Sequence, residues 1–205
     1  MTRYKPGEFE MYGFLGILRL AVFLIRTKLI ISNARLIRFP FYLRGRKYIQ
    51  FGNNLTTGTG CRIEAFPYIN QNTIIEIGEN VEMNDNVHIS GLQQIKIGNN
   101  VLLASRIFIS DINHGSYMGN EKDSDPESHV GSRPVFGNPV EIEDNVWIGE
   151  GAAVLAGVRI GRCSIIGANS VVTKNIPPFT IAAGNPARPI KQYDFKSCRW
   201  VLCKK

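Results

Sequence analysis

His114 lies near the start of a long polar stretch, residues 109–139, which reads ISDINHGSYMGNEKDSDPESHVGSRPVFGNP. A neutral imidazole titrates at about pH 6.5, so it can remove a proton from a hydroxyl group without a metal ion. We therefore predict that His114 is a general base. Asp111 could fix the imidazole tautomer, although a turn accounts for an aspartate here equally well. Asp111 and Asn113 are also candidates for substrate binding.

The two other histidines give weaker signals. His88 ends the stretch MNDNVH and His129 lies within DPESHVG. We interpret both as surface residues or as residues at the edge of a substrate. A catalytic zinc ion needs three converging protein ligands, and three scattered histidines do not predict one, so no metal is expected. No cysteine lies near INHG to act as a nucleophile.

The elements that position these residues belong to a chain of 205 residues, which is the length of one ordinary domain. The four cysteines form no C-x-x-C pair, and we find no signal peptide. These observations predict reduced thiols in the cytoplasm. The sequence contains neither a P-loop nor a G-x-G-x-x-G motif, which argues against nucleotide hydrolysis and hydride transfer.

The net charge of +7 is concentrated at the N-terminus. Residues 1–50 hold ten Lys and Arg against two Glu, whereas residues 51–205 hold fourteen against fifteen acidic residues. This asymmetry predicts that the N-terminal segment meets an anionic surface or substrate, and no nucleic-acid partner is expected. Within this segment the apolar stretch 14–31 is interrupted by Arg19, Arg26 and Lys28, so it is too short to span a bilayer. It either packs on its own domain or a neighbouring subunit, or lies on the inner face of the membrane.

Most of the remaining chain repeats with a period of six residues. Six aliphatic residues follow one another at this spacing: Ile142, Ile148, Val154, Ile160, Ile166 and Val172. The same spacing recurs around residues 51–63, 77–89 and 97–109. A period of six indicates a β-helix solenoid in which three short strands form one triangular coil, with the aliphatic residue inside.

The pattern predicts three parts: residues 1–45 form a basic apolar segment with a helix, residues 46–178 form the β-helix, and residues 179–205 form a tail. A solenoid tolerates an insertion only where it projects outward from a corner. The interruption at about 110–141 should therefore be a protruding loop, and loops of this length are usually functional or disordered.

The sequence resembles the hexapeptide-repeat O-acetyltransferases that act on galactosides, maltose and polysaccharides such as colanic acid and O-antigen. The resemblance covers roughly residues 45–192 and rests on INHG (112–115), VWIGEGAAVLAGVRIG (146–161), IIGANSVVTKNIPP (165–178) and AAGNPARPIK (182–191). It implies an all-β, left-handed parallel β-helix, a homotrimer with active sites between adjacent prisms, and acetyl-CoA as co-substrate. It further implies direct transfer to a sugar hydroxyl, with His114 as the catalytic base.

The same resemblance assigns further site residues. Asn84 matches a position that contacts the acceptor or the transition state, although an asparagine at a left-handed corner explains it nearly as well. Trp147 either packs between subunits or flanks the acyl group. An acceptor-side aspartate of the family is missing near Leu92, so a different acceptor pocket is expected. The residues matched to coenzyme A binding are Trp147, Gly149, Ala168, Thr173, Lys174, Arg188 and Lys191.

Several functions remain open from the sequence. The first is acetylation of a cell-envelope polysaccharide or its lipid-linked precursor, by a cytoplasmic enzyme that also contacts the inner face of the membrane through residues 14–31. The second keeps the chemistry but uses a small free acceptor such as a sugar, a xenobiotic or serine. Hexapeptide prisms also serve as zinc carbonic anhydrases or as non-catalytic scaffolds, which are the remaining alternatives.

Overall fold

The computed structural model describes residues 8–69 and 71–203. Its one α-helix, α1 (Glu8–Ile30), is kinked at Gly13, whose φ of 63° is left-handed. Before the long loop the strands are β1 Leu36–Ile37, β2 Phe41–Arg44, β3 Ile49–Phe51, β4 Thr56–Thr57, β5 Cys61–Ala65, β6 Ile75–Ile77, β7 Glu82–Met83, β8 His88–Gly91, β9 Ile95–Ile97, β10 Leu102–Leu103 and β11 Phe108–Ser110. The loop carries β12 Ile112–His114 and β13 Val135–Gly137. After it come β14 Val140–Ile142, β15 Trp147–Ile148, β16 Ala153–Val154, β17 Arg159–Ile160, β18 Ile165–Ile166, β19 Val171–Val172, β20 Thr180–Gly184, β21 Ala187–Asp194 and β22 Arg199–Leu202.

The strands form three parallel sheets that make the sides of a triangular prism. Sheet A has the order β1-β4-β7-β10-β15-β18-β20, sheet B the order β2-β5-β8-β11-β16-β19, and sheet C the order β3-β6-β9-β14-β17. The chain passes from A to B to C in each coil, so each strand pairs with the strand one coil away. The predicted left-handed parallel β-helix is confirmed.

The aliphatic residues of the six-residue repeat fill the prism. Since side chains alternate along a strand, one residue of each short strand points inward and its neighbour points outward. The inward columns are fully or almost fully buried: Ile37, Thr57, Met83, Leu103, Ile148, Ile166 and Ala182 in sheet A; Ile63, Ile89, Ile109, Val154 and Val172 in sheet B; Phe51, Ile77, Ile97, Ile142, Ile160 and Ile176 in sheet C.

Asparagines turn many of the corners. Asn54, Asn80, Asn86 and Asn100 all have positive φ, a backbone conformation that asparagine tolerates better than most residues. Their side chains also link successive coils, because Nδ2 of Asn54 donates to Oδ1 of Asn80 at 3.0 Å and Asn80 donates to Asn100 at 3.1 Å. The corners are therefore bonded both along the chain and along the stack.

The outer faces of the three sheets differ in chemistry. In the C-terminal half, sheets A and B present apolar side chains, among them Leu102, Trp147 and Phe108. Sheet C instead presents a ladder of paired charges in which Arg159 contacts both Glu141 and Glu143, and Lys96 lies 3.8 Å from Glu76. The outer face of sheet C is thus suited to contact with water, whereas the outer faces of sheets A and B offer apolar surface that another molecule could cover.

The long loop leaves the prism after β11 and returns before β14, and we call residues 111–139 the arm. Strands β12 and β13 pair antiparallel, with His114 opposite Val135. The two ends of the arm meet at its base, where the Asn138 N–H donates to the Asp111 carbonyl at 2.9 Å. The arm therefore projects outward at a corner, as predicted, without interrupting the stack.

Both ends of the prism are covered. At the N-terminal end, Phe23 and Ile31 of the helical segment join the core beside β1. At the other end, β20 pairs parallel with β18 and then antiparallel with β21, which pairs with β22. The parallel ladder runs from Leu36 to Ala182, further in both directions than the 46–178 span inferred from the repeat. Among the described residues, no helix is long and apolar enough to cross a bilayer.

Replacing Ile148 by alanine tests the inward column. Its side chain is completely buried, so the transfer of apolar atoms to water and the residual cavity should lower the unfolding free energy by about 2–5 kcal/mol. Ile190→Ala is the matched control, because Ile190 is 42% exposed on β21 and should cost less than about 1 kcal/mol. Denaturant unfolding measures both, and equal losses would contradict the assignment of the column.

Candidate active site

His114 is placed at the projecting end of β12. Its side chain is exposed and its carbonyl oxygen accepts a hydrogen bond from the Tyr117 hydroxyl at 2.6 Å. Gly115 follows with a φ of 96°, and its N–H donates to the Pro134 carbonyl at 2.8 Å. The backbone on both sides of the histidine is thus fixed by hydrogen bonds, while the imidazole stays accessible to a substrate.

Asn113 faces a cleft within the arm. The cleft is lined by Asn113, Gly115, Ser116, Tyr117, Met118, Phe136 and Asn138. Its wall is held by Arg133, whose guanidinium donates to the Tyr117 hydroxyl at 2.9 Å and to the Ser128 hydroxyl at 3.0 Å. The predicted substrate residue Asn113 therefore lies in a concave, partly aromatic surface next to His114.

Asp111 does not fit the predicted role in substrate binding or in orienting the imidazole. Its side chain is completely buried and its carboxylate accepts the backbone N–H groups of Leu92, Gln93 and Gln94 at 2.7, 2.8 and 2.8 Å. Burial raises the pKa of this carboxyl, and the three N–H donors oppose the rise. Asp111 instead ties the base of the arm to the corner of the coil beneath it.

Asn84 stands at the corner between sheets A and B, directly after β7. It does not have positive φ, whereas Asn86, two residues on, does. A left-handed corner conformation therefore does not explain the asparagine at position 84, because Asn86 is the residue that adopts it. The Asn84 side chain is exposed and can contact a bound molecule.

Small residues continue from Asn84 along this corner. Backbone hydrogen bonds link Asn84 to Leu103, Ala104 to Ile148, Gly149 to Ile166 and Gly167 to Ala182. The residues stacked at the corner are therefore Asn84, Ala104, Gly149, Gly167 and Ala183. Four steps of about 4.8 Å make a line about 19 Å long with few protruding side chains.

Gly149, on this line, and Ala168, which follows its member Gly167, have different environments. Gly149 is buried, and a Cβ added to it would lie 2.6 Å from the Ala168 nitrogen. Close stacking therefore accounts for the glycine, and a direct contact with coenzyme A does not fit its burial. Ala168 is exposed and can line a bound molecule. Beside it, Glu150 forms an ion pair with Arg106.

Trp147, Arg188 and Lys191 also lie on sheet A or at its edge. Trp147 is 48% exposed on the outer face, between Leu102 and Ile165 in neighbouring strands. On β21, Arg188 pairs with Ala183 at the end of the small-residue line. Arg188 is therefore present where this line ends, whereas Lys191 lies opposite Ile181, nearer the start of β20.

Thr173 and Lys174 are found at a different corner. Both are exposed and follow β19, so they lie where sheet B turns toward sheet C. The arm that bears His114 leaves the prism from this same corner, after β11, which lies two coils before β19 in sheet B. The structure therefore divides the predicted site residues into two groups at opposite edges of sheet B. One contains Asn84, Trp147, Gly149, Ala168, Arg188 and Lys191, and the other contains Asp111, Asn113, His114, Thr173 and Lys174.

His88 belongs to a charged network that the sequence did not reveal. The Glu64 carboxylate, almost fully buried, lies 2.6 Å from Arg62, 3.2 Å from His88 and 3.4 Å from Arg44. Burial lowers the pKa of His88, the positive charge of Arg62 lowers it further, and Glu64 opposes the change. The only sequence signal was the glutamate that follows the inward residue Ile63, with Arg62 two positions before it.

The three histidines do not converge. His88 lies on sheet B, His114 on β12, and His129 next to a short 3-10 helix of the arm, Val130–Ser132. Within the described residues, no group of three or more His, Cys, Asp or Glu is arranged to hold a metal ion. The zinc-dependent alternative therefore has no supporting geometry within one described chain.

The chain is similar in sequence to known acetyltransferases. Residues 139–174 match the bacterial transferase hexapeptide family (six repeats). The chain is 40% identical over 191 residues to WbbJ of Escherichia coli K12, a protein named as a lipopolysaccharide biosynthesis O-acetyl transferase. This match covers 93% of this chain and 95% of WbbJ. It is 35% identical over 137 residues to the galactoside O-acetyltransferase of the same organism, covering 67% of this chain and 63% of that enzyme.

Solved structures share the fold. The N-acyltransferase AntD of Bacillus cereus, in complex with dTDP-4-amino-4,6-dideoxyglucose and coenzyme A, superimposes with a TM-score of 0.67 at 21% identity, covering 84% of this chain and 91% of AntD. The hexapeptide-repeat acetyltransferase VCA0836 of Vibrio cholerae gives a TM-score of 0.52 at 23% identity, covering 92% of this chain and 94% of VCA0836. At these identities the likeness concerns the fold alone.

Replacing Asp111 by alanine should destabilise the protein without touching a substrate. Three backbone N–H groups would lose their acceptor; an unsatisfied buried donor such as that of Leu92 costs about 1–3 kcal/mol, and the half-buried donors of Gln93 and Gln94 cost less, so we expect a loss of roughly 2 kcal/mol or more. Asp123→Ala is the matched control, because its carboxylate also accepts backbone N–H groups but is exposed to water. Denaturant unfolding that gave equal losses would refute the structural role of Asp111.

His88 should make stability depend on pH. Its pKa is lowered from 6.5 in the folded chain, so folding favours the neutral imidazole. The contribution is present above pH 6.5 and is lost as the pH falls through the lowered pKa. Compared with His88→Gln, the wild-type protein should therefore lose additional stability on acidification below pH 6.5. Parallel curves of unfolding free energy against pH would contradict this sign.

Proposed function

The chain belongs to the hexapeptide-repeat O-acetyltransferases, and we propose that it transfers an acetyl group from acetyl-CoA to a sugar hydroxyl of a cell-envelope polysaccharide or its lipid-linked precursor. The observation that carries the proposal is the likeness to WbbJ, which extends over nearly the whole of both chains. Because the members of this family are acyltransferases, the chain is an enzyme and the alternative of a non-catalytic scaffold is set aside.

His114 acts as the general base in this proposal. The neutral imidazole accepts the proton of the acceptor hydroxyl while the oxygen forms its bond to the acetyl carbonyl carbon, and the coenzyme A thiolate leaves. Support comes from the exposed imidazole on a hydrogen-bonded backbone beside the cleft that contains Asn113. No covalent enzyme intermediate is needed, and Asn84 contacts the acceptor or the developing charge.

The residues at the corner between sheets A and B fit an elongated cofactor. Acetyl-CoA supplies an acetyl group activated as a thioester. The line from Asn84 to Ala183 offers small side chains over about 19 Å, with Trp147 beside it. Arg188 lies at its end and Lys191 lies further along the same strand, β21, and cations suit phosphate groups. Thr173 and Lys174 would join them from a neighbouring copy, because they lie at the other corner.

A homotrimer accounts for the separation of the two groups of site residues. The apolar outer faces of sheets A and B provide surface to bury, whereas sheet C carries paired charges. Packing one copy against the next would bring the arm of one chain to the corner of the other. Each site would then combine His114 of one chain with Asn84 of its neighbour.

The acceptor and the location follow from the same reasoning. The free cysteines Cys61, Cys163, Cys198 and Cys203 are compatible with a reducing cytoplasm, where we place the reaction. Leu92 is completely buried, so the acceptor pocket differs from one with an exposed aspartate there. Assays of purified protein with acetyl-CoA against envelope saccharides, small sugars, xenobiotics and serine will distinguish the acceptors, and transfer only to a small free acceptor would replace the envelope assignment.

The role of His114 can be tested by replacing it with alanine. Loss of a general base should reduce turnover by about 10²–10⁴-fold, while coenzyme A affinity and stability stay close to those of the wild type. His129→Ala is the matched control, since His129 lies on the same arm and should keep full turnover. Steady-state kinetics with isothermal titration will check both, and near-normal turnover by the His114 variant would eliminate it as the base.

Mixed trimers can test the shared site. His114→Ala and Asn84→Ala are each expected to be inactive as homotrimers. When the two variants are co-assembled at equal amounts, roughly a quarter of the sites should combine an intact His114 with an intact Asn84 from neighbouring chains, and activity should return in proportion. Separately purified variants mixed without exchange provide the control. If co-assembly restores no activity, the two residues do not act across an interface.

A further inference from the structure

The helix α1 has an apolar face that nothing in the described part of the chain covers. Six of its large apolar side chains are about half exposed or more, from 49% at Leu18 to 81% at Leu29, whereas Leu24 and Ile30, at 43% and 39%, lie outside the arc they form. At 100° per residue these six fall within one arc of about 100°. The residues of this outward stripe are Phe14, Leu15, Leu18, Val22, Ile25 and Leu29.

The opposite side of α1 is fixed to the prism. Phe23 is buried against Phe39, with ring centroids 5.6 Å apart. The buried Thr27 hydroxyl accepts the N–H of Ile37, in β1, at 2.8 Å. Because this side is anchored by both packing and a hydrogen bond, the helix cannot rotate to bury the outward stripe without breaking these contacts.

Cations flank the outward stripe on both edges. Arg19 and Arg26 lie along one edge and Lys28 along the other, at about 70–90° from its centre by helical geometry. The guanidinium groups of Arg19 and Arg26 lie over the rings of Phe23 and Phe39, and neither forms a salt bridge within the described residues. Residues 11–63 contain nine Lys and Arg and no Asp or Glu.

We propose that the outward stripe of α1 docks on an anionic lipid bilayer, with the helix lying in the plane of the interface. An apolar arc enters the acyl boundary, while long basic side chains at its edges reach the headgroups. Each basic residue near an anionic membrane surface adds to the attraction. The proposal goes beyond acetyl transfer and does not depend on which acceptor is used.

A second copy of the chain fits the outward stripe less well. A symmetric contact places the same patch on both sides, so Arg19 and Arg26 would face the same cations of the partner. Anionic headgroups remove that repulsion. Because α1 lies at the N-terminal end of the prism, a trimer of parallel prisms would present three such helices at one end, and three linked contacts bind more tightly than one.

The apolar part of the surface is tested by Leu15→Gln/Ile25→Gln/Leu29→Gln in the full chain. We expect the wild type to sediment with vesicles of phosphatidylcholine and phosphatidylglycerol, and this variant to remain in the supernatant. The matched control, Leu24→Gln/Ile69→Gln/Leu202→Gln, removes three exposed aliphatic side chains outside the outward stripe and should bind like the wild type. Failure of the wild type to bind, or equal binding by the two triple variants, would overturn the proposal.

The charged edge is tested by Arg19→Gln/Arg26→Gln. Two cations near an anionic surface should change partitioning by about 30-fold, and added salt should shrink the difference. Lys196→Gln/Arg199→Gln removes the same charge at the other end of the prism and should leave partitioning unchanged. Equal binding of the two charge variants would contradict the proposed orientation.

Two further measurements distinguish lipid binding from contact between copies of the chain and from the proposed acetyl transfer. If sedimentation velocity without lipid shows an assembly larger than a trimer that the Leu15, Ile25 and Leu29 variant abolishes, the stripe is a contact between copies and the lipid proposal fails. Acetyl transfer to a water-soluble acceptor should be unchanged in that variant. Loss of vesicle binding with normal transfer supports the lipid contact, whereas absence of transfer in the wild type bears only on the proposed reaction.

Discussion

The backbone ladder between successive coils is the constraint on which the structure depends. A strand of two or three residues has almost no stability alone, and each strand inside the stack pairs with the strand of the coil before it and the strand of the coil after it. The inward columns can be almost entirely apolar because the backbone groups are satisfied by the neighbouring coils. The same stacking leaves so little space at Gly149 that a Cβ would meet the backbone of the next coil.

The ladder also explains how a chemically active arm can be added. Residues 111–139 enter and leave at one corner, so β11 and β14 keep their places in sheets B and C. The insertion nevertheless needs an anchor, because β12 pairs only with β13 of the arm itself and not with a strand of the prism. Asp111 supplies this anchor by accepting three N–H groups from the corner at Leu92–Gln94, which makes a buried charged group part of the support for His114.

The sequence predicted the repeat, its handedness by resemblance, and the outward arm that bears His114, because each depends on a local pattern or a motif. It could not predict which neighbour satisfies a buried polar group. Asp111 and Gly149 were therefore interpreted as contacts with substrate and cofactor, although the stack itself engages both. The Glu64 network was missed for the same reason, since Arg44, Arg62 and His88 meet only when three coils are superposed. The sequence likewise could not predict that the site residues lie at two opposite edges of sheet B. Their positions depend on where each residue falls within a coil, and no motif records this.

The covered ends of the prism have a consequence for self-association. A parallel β-helix whose last coil was left open would expose unpaired N–H and C=O groups able to template another chain, as the growing tip of a fibril does. Here α1 lies against β1, and β21 turns back antiparallel on β20. The helix and the antiparallel strand therefore block the two edges of sheet A at which a further strand could pair. A fold whose repeats could in principle continue without limit is thus kept to a fixed length.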